Sequence, residues 1–293
     1  MKIGLGTAQF GLDYGISNGA GRVSQEEVRS ILTFAAETGI EMLDTAVAYG
    51  EAERVVGNHL QSATHFRLVT KLPRVPAELP PQQVLDWVRQ QLSGSLDRLG
   101  QSSLYGLLVH GAQDLLGSLA EPLFSALLTL QDEGLVKKVG ASVYTAAEID
   151  GLLGRFALDI VQLPINLLDQ RLLESGHLQK LRQRGVEIHA RSLFLQGLLL
   201  MDPDTLPEHF FSAVPALKRF RTALRQLEFT PLQAAVAFAH AIPEIDIAVF
   251  GVTCCAELRE IVSTGGTGPD IDWYRPFGLT DEKILNPALW PAR

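Results

Sequence analysis

The chain is poor in cysteine. Its 293 residues contain two, Cys254 and Cys255, and neighbouring cysteines suit neither a structural disulfide nor a zinc site. A disulfide scaffold is excluded and a reducing, cytoplasmic setting is expected. There is no run of Lys or Arg, and the formal net charge is -8, so neither nucleic acid nor an anionic membrane is expected as partner. No stretch reaches the roughly 18 apolar residues of a membrane span, and the start MKIGLGTAQF lacks the cationic and apolar regions of a signal peptide. His59, His65, His177, His189, His209 and His240 show no i, i+4 pairing, and no metal is expected. The Gly-x-Gly-x-x-Gly that would follow the first strand of a dinucleotide-binding open sheet is also missing. With 46% hydrophobic content the chain can still bury a large core. The expectation is one soluble domain, monomeric or weakly self-associating, with a small-molecule partner.

What is present is a repeated cycle. Residues 2–6 read as a strand, 11–21 as a polar loop, and Val28, Ile31, Leu32 and Ala35 as one face of a helix, with Ser24 and Glu27 as a capping box and Gly39 as its stop. The same succession recurs with strands at 40–43, 67–71, 104–110, 138–143, 160–163, 186–193 and 245–250. Thr145 with Glu148 forms another capping box, and Thr230-Pro231 is an N-cap and first-turn pair. Eight strands separated by helices predict a (β/α)₈ TIM barrel, a single domain over residues 1–293. A segment at 198–215, rich in Pro, Asp and His, and a Gly/Pro/Trp-rich tail from about 265 to 293 break the cycle and are expected beside the mouth or outer wall.

Four residues of chemical interest fall at strand ends. Asp44 and Tyr49 follow the second strand, Lys71 ends the third and His110 the fourth, which places all four at one mouth. Singly, each has a structural reading: a loop cap, a rim aromatic, a surface charge, a satisfied imidazole. Together they suit carbonyl reduction, in which a phenol donates a proton to a developing alkoxide. A neighbouring ammonium would stabilise the phenolate, a carboxylate would keep that ammonium charged, and an imidazole would orient the substrate oxygen.

The motifs carrying these residues resemble the aldo-keto reductase family. GLGTAQFG is similar to its first-strand signature, DTAVAYGEAERVVG to its D-T-A-x-x-Y-G-x-x-E-x-x-x-G, LVTKL to its T-K strand and LLVHG to its strand ending in histidine. The resemblance runs in order from Gly4 to about Glu260. It implies a nicotinamide-dependent oxidoreductase in which Tyr49 is the general acid, Lys71 lowers its pKa, Asp44 pairs with Lys71 and His110 orients an aldehyde or ketone. It assigns Ser142 and Gln162 to the cofactor's carboxamide, and Arg191, Ser192, Leu193, Gln196, Gly197, Gly251, Val252, Thr253 and Glu257 to the rest of the cofactor. Val143 stands where the family commonly has Asn, removing one carboxamide contact. Arg191 stands where many members stack an aromatic ring on the nicotinamide, a role a planar guanidinium can fill. The hairpin that often closes the barrel floor has no sequence here to build it.

Family habit favours NADP(H). Glu257 and Ile261, however, occupy the region where the adenosine 2′-phosphate would land, with Arg259 turned about 200° from Glu257 around a helix; weak discrimination is expected, with NAD(H) accepted. Cys254 and Cys255 fall in this same cofactor loop. Asp13 and Tyr14 after the first strand, and Trp273 and Tyr274 in the tail, are candidate substrate contacts. The loops resemble bacterial members associated with sugar or polysaccharide metabolism. Two other classes fit parts of the pattern: a Schiff-base lyase using Lys71, and a non-catalytic cofactor-binding subunit like those associated with channels.

Overall fold

A computed structural model describes residues 1–60 and 66–291 of the chain; His65 lies outside the described residues. The strands β1 (Lys2–Gly6), β2 (Met42–Asp44), β3 (Arg67–Leu72), β4 (Leu104–Val109), β5 (Val136–Ser142), β6 (Ile160–Pro164), β7 (Glu187–Arg191) and β8 (Ile247–Gly251) are all parallel. They close into a barrel in sequence order, β1 pairing with both β2 and β8. Side chains alternate across each strand and so feed two cores. Met42, Val69, Leu108, Ile160, Ile247 and Val249 fill the barrel interior, while a larger apolar layer lies between the sheet and the helices.

The helices start where their caps direct. Thr145 and Glu148 form the reciprocal box ahead of the helix Ala146–Leu153, and Thr230 does the same with Gln233 ahead of Pro231–His240. The helix Gln25–Glu37 departs from expectation. Ser24 accepts from Glu27 N, but the Glu27 carboxylate leaves its own cap and accepts from Cys255 N at 2.5 Å, because a second helix N-terminus lies within reach. Gly57 lets the helices Ala52–His59 and Val84–Leu99 touch: a Cβ there would lie 2.2 Å from Arg98 O.

At the amino ends of the strands Tyr105 packs against the interior cluster. Tyr105 lies beneath Arg67, Lys137 and Lys138, and its hydroxyl donates to Glu187 at 2.7 Å. Glu187 also accepts from Lys138 and meets His189 Nε2 at 2.7 Å. Burial alone would raise this carboxyl, but the hydrogen bonds from His189, Lys138 and Tyr105 pull it down to about 2.

The two irregular regions lie on the same side. Short 3₁₀ turns at Leu195–Leu200, Pro203–Thr205 and Glu208–Ala213 lead into the helix Val214–Leu227, opened by Pro215. The tail folds over that helix and its neighbour. Tyr274 is wholly buried edge-on to Phe238, and Trp273 packs on Phe220 and Phe277. Among the described residues no helix is long and apolar enough to cross a membrane, and no group of His, Cys, Asp and Glu could hold a metal ion.

Candidate active site

The carboxyl ends of the strands surround a cavity of about 700 Å³, within the range that encloses a small-molecule ligand. Its inner wall is built outward from β1. Thr7 donates from both its N–H and its Oγ1 to Asp44 O, each at 3.0 Å, and so ties the end of β1 to the end of β2. The short helix Ala8–Gly11 then lies against the Tyr49 loop so closely that a Cβ on Gly11 would fall 1.8 Å from Tyr49 O. These contacts give the glycines and threonine of GLGTAQFG a physical task.

Lys71 sits where those constraints converge. Its Nζ donates to Asp44 Oδ1 and Oδ2 at 2.8 and 2.7 Å and to Thr45 O at 2.9 Å, and lies 3.5 Å from the Tyr49 hydroxyl. Gln162 Nε2 donates to Asp44 Oδ1 at 2.7 Å from across the barrel. Behind β3, buried Glu53 accepts from Thr70 Oγ1 at 2.5 Å, Ser95 Oγ at 3.3 Å and Arg98 Nε at 2.7 Å, which fixes the strand residue next to Lys71. The His110 ring stands edge-on to Tyr49, centroids 5.9 Å apart.

Burial dominates the protonation states. It pushes Lys71 below the ordinary lysine range, opposed by Asp44. It drives His110, with help from Lys71 and Arg191, down to about 4, so the imidazole is neutral at pH 7. The expectation that Lys71 lowers Tyr49 is not met in the free site: burial, then the Asp44 carboxylate, raises the phenol well above its usual value. Lys71 is paired with Asp44, and the cation opposing the rise is Arg191.

Every residue expected to touch the cofactor lines this cavity: Ser142, Gln162, Arg191, Ser192, Leu193, Gln196, Gly197, Gly251, Val252, Thr253 and Glu257, together with Asp44, Tyr49, Lys71 and His110. Tyr14 joins them, its hydroxyl raised to about 12 mainly by burial. Asp13 does not; it is exposed outside the wall. Trp273 and Tyr274 are also absent, because their rings serve the outer core, and the tail reaches the mouth through Pro287 and Ala288 instead. Wall residues passed over in the sequence include Tyr144 and Gln9. Tyr144 carries the Arg191 guanidinium 4.2 Å above its ring, and Gln9 lies against Gly251; neither sits at a spacing that marks it.

The rim is formed by two loops that meet. Ile16 N donates to Gln196 O at 2.9 Å, and Ser192, Leu195 and Gln196 hold positive φ of 61°, 48° and 52°, conformations costly for side-chain-bearing residues and concentrated at functional loops. Beyond β8, Glu257 folds back to accept from Thr253 N at 2.6 Å and Thr253 Oγ1 at 3.0 Å. Arg259 is turned away, stacked on Phe34 at 4.1 Å.

The sequence matches the family model "Aldo/keto reductase family" over residues 2–266. The chain belongs to the aldo-keto reductases. It is therefore an enzyme, an oxidoreductase of a class that uses nicotinamide cofactors on carbonyl compounds. It is 23% identical over 298 residues to the NADH-specific methylglyoxal reductase of Escherichia coli (strain K12), covering 89% of each chain. To an aldo-keto reductase of Mycolicibacterium vanbaalenii it is 28% identical over 194 residues, 64% of this chain and 66% of that one. Among solved structures, an aldo-keto reductase from Bacillus halodurans superposes with TM-score 0.75 at 20% identity, over 99% of this chain and 93% of that one. A glycerol dehydrogenase from Gluconobacter oxydans gives 0.72 at 19%, over 99% and 93%.

An aldo-keto reductase must hold a nicotinamide, and the wall fits one. Among the described residues Gln162 Oε1 is buried with no hydrogen-bond partner while its Nε2 is spent on Asp44, which leaves an acceptor for a carboxamide N–H. Ser142 pairs with Gln162 across β5 and β6, next to that acceptor.

Proposed function

We propose that the cavity reduces an aldehyde or ketone to an alcohol, with Tyr49 as the general acid. The observation that carries the reading is the Lys71 ammonium, held against the Asp44 carboxylate and 3.5 Å from the Tyr49 hydroxyl. The bound nicotinamide supplies the hydride. Tyr49 gives its proton to the substrate oxygen, and the phenolate so formed draws on Lys71 and Arg191 for stabilisation. Neutral His110 donates a ring N–H to the same oxygen and orients the carbonyl. Gln162 and Ser142 hold the carboxamide, and the loop of Ser192, Leu193, Gln196 and Gly197 with Gly251, Val252 and Thr253 holds the remainder of the dinucleotide.

Cofactor choice follows from the carboxylates around the loop after β8. Glu257 and Glu27 already take the N–H groups of Thr253 and Cys255, where a phosphate would otherwise bind a helix N-terminus. Family habit points to NADP(H), yet this arrangement supports acceptance of NAD(H), in keeping with the NADH-specific Escherichia coli relative. Small carbonyl compounds, sugar-derived ones among them, are the proposed substrates.

A Schiff-base lyase is disfavoured. Attack on a carbonyl needs a neutral, accessible amine, whereas Lys71 is 1% exposed and its N–H groups are engaged by Asp44 and Thr45. Two assays separate the readings. Oxidation of reduced nicotinamide in the presence of sugar aldehydes, keto-sugars and aromatic aldehydes is expected, with no borohydride-dependent labelling of Lys71. Labelling without nicotinamide oxidation would refute the reductase.

A further inference from the structure

We infer that Arg191 anchors an anionic group, a carboxylate or phosphate, carried by the carbonyl substrate. This rests on the reductase reading and names the substrate class of the same site.

The placement comes from the strand. Residues of β7 alternate, with Glu187, His189 and Arg191 on one side, and Gln162 is paired with His189. Arg191 therefore lies one inward step, about 7 Å along the strand, beyond the tier that holds Gln162 and Asp44. Tyr144 stands two residues past Ser142, the last residue of β5, and the guanidinium carbon lies over its ring, 4.2 Å from the centroid. A planar cation is thus held at a fixed distance from the reacting groups.

Among the described residues its charge has no counter-ion. The guanidinium donates to Ser192 Oγ at 3.2 Å and Val143 O at 3.3 Å, both neutral acceptors. Among the described residues no carboxylate forms an ion pair with it. Nor are the nearer acids of the wall available. Asp44 is taken by Lys71 and Gln162, Glu257 by Thr253, and Glu260 is exposed at the rim. A guanidinium has five N–H donors in a fork that matches a carboxylate or phosphate, and two are used. With Asp44 and Lys71 cancelling and His110 neutral, Arg191 leaves the inner cavity with a net positive charge. A half-buried cation without a partner is costly, and the cost is recovered when an oxyanion arrives. The field of Arg191 also acts on Tyr49, Tyr14 and His110, which places it at the reacting end of the cavity.

The cofactor's own phosphates are the competing source of an oxyanion, and the test separates them. Turnover of 4-carboxybenzaldehyde is compared with that of its neutral ester methyl 4-formylbenzoate, and glyceraldehyde 3-phosphate with glyceraldehyde, while cofactor affinity is measured by quenching of protein fluorescence. In at least one pair the anionic member is expected to have kcat/KM about tenfold or more above the neutral one. In Arg191→Leu that ratio, read at saturating cofactor, falls to about one, and Arg191→Lys retains part of it. Turnover of both pairs without preference overturns the inference and leaves the reductase reading intact. So does a wild-type preference that survives in Arg191→Leu while cofactor affinity collapses, which would assign the guanidinium to the dinucleotide. Failure to turn over any carbonyl would refute the reductase reading and this inference with it.

Discussion

Burial sets the protonation states of the reacting residues. His110 would titrate near 6.5 in water but is held at about 4 by desolvation and by the cations Lys71 and Arg191. Tyr49 is held above its ordinary value. The depressed imidazole stays neutral until pH falls to about 4, so kcat/KM for reduction should lose activity there and show no inflection between 6 and 7. Measuring that profile with a neutral aldehyde decides it; an acid limb near 6.5 would contradict a buried, neutral His110. The identities of these residues were legible because strand-end spacing in DTAVAYG, LVTKL and LLVHG is tied to a common mouth. The direction of the Tyr49 shift was not, since it depends on how deeply the phenol is buried and then on the Asp44 carboxylate beside it. Tyr144 was invisible for a related reason: nothing in GASVYT marks a residue whose partner, Arg191, arrives from β7.

Two elements depend on contacts that sequence patterns do not encode. At the barrel floor, Glu187 is held at about 2 against an ordinary 4.5 by His189, Lys138 and Tyr105. A carboxyl whose pKa is lower in the folded state stabilises the fold fully above 4.5 and loses that contribution as pH falls toward 2. Glu187→Gln should therefore lower Tm at pH 7, with the deficit against wild type shrinking as pH drops through this window. A deficit that is constant in pH would mean that lost packing, rather than charge, is responsible. At the helix Cys255–Ser263, the Glu27 carboxylate replaces the expected local cap partner with one 228 residues away, beyond any pattern of adjacent residues. Because Glu27 and Glu257 crowd the loop after β8, the ratio of kcat/KM for NADPH over NADH should stay below about 10³, and Glu257→Arg should raise it. A larger native ratio, or no change in the variant, would place these carboxylates away from the adenosine end.

The whole molecule was the most legible level. Eight strands alternating with helical segments leave little choice but a barrel, and the pairing of β1 with β8 closes it. The tail was the least legible, because without periodicity Trp273 and Tyr274 could equally face a pocket or a wall. They serve the outer core. Truncation after Gly268 should expose Phe220 and Phe238 and destabilise the protein, by about 2 kcal/mol for the loss of buried Tyr274 alone, as read from denaturant unfolding; an unchanged midpoint would mean the tail contributes nothing to the core. The central claim is that this barrel brings Tyr49 to a carbonyl as its proton donor, and Tyr49→Phe tests it most directly. Single-turnover reduction of a good aldehyde should slow by about 10²-fold or more, while cofactor affinity measured on the same preparation stays as in the wild type. Near wild-type reduction by the variant would contradict the account.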